Sequence, residues 1–115
     1  MPDSVLIAFS TCPDEPTAAR IAQTLVSEGL AACVNRIPGA CSTYMWDGRL
    51  HEDAEILLII KTTRRALTKL THRLRALHPY ECPELIATAV IGGNENYLDW
   101  VRAALQESVT GKADE

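Results

Sequence analysis

The chain lacks any apolar run long enough to cross a bilayer. Its longest are Val5 to Phe9 and Ile56 to Ile60, against the ~20 residues that a spanning helix needs. It lacks a basic excess: 11 Lys and Arg against 15 Asp and Glu leave a net charge of −4. That argues against a nucleic-acid binder, which carries a basic stripe, and suits a solvated surface. The N-terminus has Asp3 and no Lys or Arg, so no secretory signal is expected and the predicted compartment is the cytoplasm. None of the four cysteines, Cys12, Cys33, Cys41 and Cys82, sits in a CxxC pair, which speaks against a zinc knuckle. Without export, their thiols are expected to stay reduced. There is no nucleophile elbow and no P-loop, and Gly92-Gly93 lacks the further glycines of a phosphate cradle. A Cys12 nucleophile with His78 as base gains nothing from spacing, so the chain is expected not to be an enzyme. No linker, repeat or low-complexity stretch interrupts it, and residues 1–115 are read as one domain.

What is present is a regular alternation of elements. Ser4 to Thr11 is apolar and reads as a buried strand that Cys12-Pro13 stops. Asp14-Glu15-Pro16 opens a helix, with Ala18, Ile21, Ala22 and Leu25 on one face and Gly29 at its end. Ala31 to Trp46 is extended, with a kink expected at Pro38-Gly39. Asp47-Gly48 predicts a tight hairpin turn. The returning strand, Arg49 to about Thr62, is apolar on both faces between Ile56 and Ile60, as in mid-sheet or beneath another subunit. Thr63 is the expected cap of a helix over Arg64 to Leu77, with Leu67, Leu70, Leu74 and Leu77 inward and His78-Pro79 as its stop. Leu85 to Ile91 reads as a further buried strand. Asn96 to Gln106 reads as a last helix with Tyr97, Val101 and Leu105 inward. The polar tail from Ser108 to Glu115 is expected to fray. The predicted fold is α+β: a ferredoxin-like βαββαβ unit with a long hairpin, a C-terminal helix, and an antiparallel sheet with its helices on one face.

The hairpin is overlong for such a sheet. Excess strand leaves backbone donors and acceptors without partners, a template for another chain. Its tip carries Tyr44, Met45 and Trp46, an aromatic cluster that suits pairing between subunits.

These segments resemble the CutA family. The resemblance rests on Leu30-Ala31-Ala32-Cys33-Val34-Asn35, Tyr44-Met45-Trp46-Asp47-Gly48, Glu55 and Lys61-Thr62. It continues through His78-Pro79-Tyr80-Glu81-Cys82-Pro83-Glu84 and closes on Tyr97-Leu98-Asp99-Trp100, covering about Val5 to Leu105. It implies a ferredoxin-like subunit in a homotrimer. It also implies binding of a divalent metal, copper above all, and a part in tolerance to such cations. No organic cofactor is expected, and charge and run length leave nucleic acid and membrane out of the expected partners. A protein partner is expected only under a second reading, a signalling trimer that binds a small ligand between subunits.

Two sets of residues are candidates for the site. Some bacterial relatives hold copper with a cysteine at the end of the first strand and two histidines before Pro-Tyr. The resemblance places Ser10, Leu77 and His78 there. Ser10 and Cys12 share one side of a strand, so Cys12 with His78 is one candidate copper(II) site, using soft thiolate and imidazole ligands. The alternatives are a core role for Cys12 and a helix-end role for His78, bonded to free carbonyls. The second set is Trp46, Glu55, Lys61, Tyr80 and Glu84, which in a trimer would line a cleft for a small ligand or form an interfacial network in which Lys61 pairs with Glu55 or Glu84.

Overall fold

Alternation of burial organises the first strand. The computed structural model describes residues 3–114, with side chains as far as Leu105. Strand β1 (Val5–Cys12) buries Leu6, Ala8, Ser10 and Cys12 on one side, leaving Ile7, Phe9 and Thr11 half-buried on the other. Asp14 caps helix α1 (Glu15–Ser27) by accepting from the Thr17 N–H at 2.9 Å. The helix buries the expected Ala18, Ile21, Ala22 and Leu25. Gly29 ends it at φ 73°, a conformation that glycine adopts cheaply.

Strands β2 (Cys33–Trp46) and β3 (Arg49–Thr63) form the long hairpin. Asp47 and Gly48 both have positive φ, 53° and 72°, as the twist-matched two-residue turn requires. A bulge falls between Ile37 and Ala40, with Gly39 at φ 90°, where the kink was expected. Helix α2 (Leu67–Leu77) starts later than predicted, and Thr63 does not cap it. Thr63 is the last residue of β3, paired with Val5, and the sheet ladder keeps it extended. The cap position falls to Ala66, with a turn between. His78 ends α2 in extended geometry before Pro79.

Strand β4 (Ile86–Ala89) is shorter than Leu85 to Ile91 and is exposed, not buried, because it is an edge strand paired with β1 alone. Helix α3 (Glu95–Asp114) buries Leu98, Val101 and Leu105 against Val5. Tyr97 is 41% exposed, contrary to expectation, since the buried stripe starts one residue later. Helix α3 runs on to Asp114, past the expected end at Gln106 and through most of the tail expected to fray, and Glu115 lies outside the described residues.

The sheet order is β2-β3-β1-β4 with all pairs antiparallel, the split βαββαβ arrangement of a ferredoxin-like fold. Helices α1 and α2 cover one face, where Ala8, Cys12, Ile21, Leu25, Leu58, Ile60, Leu70 and Leu74 form the main core. Paired residues share a side. The register therefore gathers Ile37, Leu57, Ile59, Ile7, Phe9 and Ile86 on the opposite face. Ile37 and Ile86 are 42% and 62% exposed there. The first strand ends opposite Ile56, so β3 from Arg49 to Glu55 is paired with β2 only.

Candidate functional site

Hairpin register builds the site. Ser42 faces Asp53, Tyr44 faces His51, Trp46 faces Arg49, and beyond the bulge Ala40 faces Glu55. These residues share one side of the two-stranded ribbon. Where β1 stops, the ribbon and the loop after α2 enclose a cavity of about 560 Å³. Its walls include Thr11, Tyr44, Trp46, Glu55, Tyr80 and Glu84, at a size usual for a small-molecule site.

Glu55 is the anchor. Only 6% of it is exposed, and its Oε2 accepts the Tyr80 hydroxyl at 2.8 Å. A buried carboxylate needs such a donor. Burial pushes the Tyr80 hydroxyl well above the ordinary tyrosine value, helped by the bond to Glu55 and the charges of Glu55 and Asp53. The Tyr44 hydroxyl donates to Asp53 Oδ2, and its acidity is also weakened, first by that bond. The Tyr44 ring stacks on His51, centroids 5.2 Å apart. Ser10, buried, donates from Oγ to the Glu84 carbonyl at 2.7 Å, which ties the loop carrying Glu84 to β1.

Four of the five residues predicted for the cleft, Trp46, Glu55, Tyr80 and Glu84, line it together. Lys61 does not. It lies opposite Cys33 and its Nζ donates to Asn35 Oδ1. Six residues of strand separate it from Glu55, roughly 20 Å, so within one chain the expected Lys61 pair with Glu55 or Glu84 is not made.

Cys12 and His78 are placed differently. Cys12 is fully buried in the core under the helices. Its thiol is pushed up to about 11 by burial first, then by Glu55, Asp14 and Glu15, which disfavours the thiolate that a metal takes. The His78 ring lies one residue from Cys12 in contact: Nε2 is 2.7 Å from the Thr11 carbonyl, and Nδ1 accepts the Tyr80 N–H at 3.2 Å. The second bond leaves Nδ1 without a proton and makes Nε2 the donor. Both nitrogens are engaged, so a cation at His78 would have to displace one of these partners. The free carbonyl of Leu77, a task foreseen for His78, is met instead by Arg20 Nη2 at 3.1 Å.

Residues 6–104 match the family described as CutA1 divalent ion tolerance protein. The chain belongs to this family. A divalent-cation tolerance protein CutA of Thermus thermophilus is 51% identical over 96 residues, 84% of this chain and 93% of the relative. The human protein CutA is 48% identical over 110 residues, 96% of this chain but 61% of the human one. Among solved structures, CutA from Xylella fastidiosa superposes with a TM-score of 0.87 at 47% identity, over 89% of this chain and 98% of that one. The family spans compartments: relatives in Oryza sativa and Arabidopsis thaliana are called chloroplastic, and the structure from Archaeoglobus fulgidus is called periplasmic. In this member, no helix among the described residues is long and apolar enough to cross a membrane.

Sequence reasoning missed Ser42, Asp53, Glu81 and Cys82 as neighbours of the cleft, and read Tyr44 only as part of the tip. The signal for Ser42, Tyr44 and Asp53 was available. Counting back in pairs from Asp47-Gly48 sets them on the side of Trp46 and Glu55. Glu81 and Cys82 lie on a loop with no period to count.

Proposed function

We propose that this family member acts without enzymatic chemistry, as a homotrimer that serves tolerance to divalent cations, with the Glu55–Tyr80 cleft as its ligand site at a subunit boundary. One observation supports this most: the open apolar face of Ile37, Leu57, Ile59, Ile7, Phe9 and Ile86 runs up to the cleft through Thr11 and Glu55. Half-exposed aliphatic residues in one continuous sheet face are costly in water, at about 25 cal/mol per Å². A second copy of the chain is the occupant that satisfies it. The bare ribbon from Arg49 to Glu55 and the edge strand β4 add backbone groups for pairing, and head-to-tail contacts of this kind close into rings. A cytoplasmic setting completes this reading.

A second reading keeps copper at Cys12 and His78, favoured by the His78 bond to Thr11, next to Cys12. It requires loss of a proton from a thiol pushed up to about 11, so copper affinity would rise with pH. Growth of a cation-sensitive host under copper challenge separates the two. Under the cleft reading, Glu55→Gln loses the protection that the wild type gives and Cys12→Ser keeps it. The reverse pattern would move the site to Cys12 and His78.

A further inference from the structure

Glu55 carries the charge around which the cleft is built. One carboxylate oxygen accepts the Tyr80 hydroxyl, and among the described residues no hydrogen bond reaches the other. The residue is largely buried, but that second oxygen still reaches water, since among the described residues Thr63 Oγ1 is the one buried side-chain oxygen or nitrogen without a partner. A largely desolvated carboxylate on the wall of a cleft favours a cation beside it. Around it the cavity presents the rings of Tyr44, Trp46 and Tyr80 and the further acids Glu81 and Glu84, and no lysine, arginine or histidine among its described lining residues.

From this we infer that the cleft takes an organic cation, an ammonium group on a small apolar body. The inference rests on the reading of the cleft as the ligand site. Aromatic faces attract ammonium groups, and more strongly as water is excluded, while Glu55 supplies the counter-charge. With Glu55, Glu81 and Glu84 on its walls and no basic side chain among its described lining residues, the cleft disfavours an anion. A neutral ligand can donate a hydrogen bond to Glu55 but leaves its charge without a counter-charge. A bare divalent ion needs several converging ligands, and among the described residues no three His, Cys, Asp or Glu side chains are grouped to hold one. An alkylammonium needs only one carboxylate and the rings.

Three probes of one shape test this on the full-length protein in its native assembly: benzylammonium, benzyl alcohol and benzoate. The readout is the Trp46 indole N–H and the Tyr80 amide in a nitrogen–proton spectrum. Benzylammonium is expected to move both resonances with affinity roughly tenfold or more above benzyl alcohol, and benzoate to move neither. Glu55→Gln should remove the advantage of benzylammonium. Should that variant misfold, Trp46→Leu at a half-exposed position is expected to weaken benzylammonium more than benzyl alcohol. Equal affinity for the amine and the alcohol, or tighter binding of benzoate, would overturn the organic-cation inference while leaving the cleft as a ligand site. Zinc chloride alone moving the same resonances at lower concentration than benzylammonium would assign the cleft to metal. If no probe moves Trp46 or Tyr80, the cleft reading falls together with the inference.

Discussion

Removing one oxygen from Tyr80 isolates the bond that organises the cleft. Tyr80→Phe keeps the ring and deletes the donor that Glu55 Oε2 accepts at 2.8 Å. A hydrogen bond to a charged acceptor contributes about 1.5–3 kcal/mol. Tyr80 is only partly buried, so water recovers some of that, and the expected loss is about 1–2 kcal/mol per subunit. In a Glu55→Gln background the acceptor is neutral, and the same substitution should cost only about 0.5–1 kcal/mol. The difference between the two backgrounds is the coupling owed to charge. Guanidinium unfolding followed by circular dichroism, at one fixed protein concentration because assembly makes stability concentration-dependent, measures all four proteins. The pH dependence has a definite sign. The Tyr80 value is raised in the fold, so the advantage of wild type over Tyr80→Phe is full below the ordinary tyrosine value of about 10. It narrows only as pH rises above that and through the folded value. Equal losses in both backgrounds, or none in either, would refute the claim that this bond holds a buried carboxylate.

Other outcomes follow from the same geometry. Ile59→Asp sets a charge in the middle of the open sheet face and is expected to lower the assembly's mass by light scattering without abolishing β-structure in circular dichroism. Cys12 should resist iodoacetamide at pH 8, with roughly a hundredth of the thiolate of an ordinary cysteine, while exposed Cys82 reacts; matched rates, read by mass spectrometry, would deny the burial of Cys12. Long-range nitrogen–proton correlation should find the His78 proton on Nε2, and a proton on Nδ1 would contradict the Tyr80 contact. Leu74→Ala, at a fully buried position in the core cluster with Leu70 and Leu25, should cost about 2–5 kcal/mol in the same unfolding assay.

Much of this was legible in the sequence because local chemistry and tertiary packing agree. Asp47-Gly48 set the hairpin, Gly29 the end of α1, and the spacing of Ala18, Ile21, Ala22 and Leu25 its buried face. The errors arose where tertiary context overrode a local preference. Thr63 has the chemistry of a helix cap, yet pairing with Val5 held it in the sheet. Leu85 to Ile91 has the composition of a buried strand, and in a single chain it is an exposed edge because the surface that suits it belongs to another copy under the proposed assembly. The cleft was half legible: alternation along the hairpin places Tyr44, Trp46 and Glu55 together, but the same alternation carries Lys61 far along β3, and no sequence rule brings Tyr80 across to Glu55. His78 was read as a copper ligand or as a partner of free carbonyls at its helix end, whereas its ring turns to a strand carbonyl far away in sequence.

The claim on which cleft, open face and ribbon all depend is that three copies of the chain close around them. Light scattering coupled to size exclusion at low micromolar concentration tests it directly. The account predicts a single species of about 38 kDa, three copies of a 12.6 kDa chain. A stable species of 12.6 kDa would contradict it, because the sheet face bounded by Ile7, Phe9 and Ile59 would then have no partner.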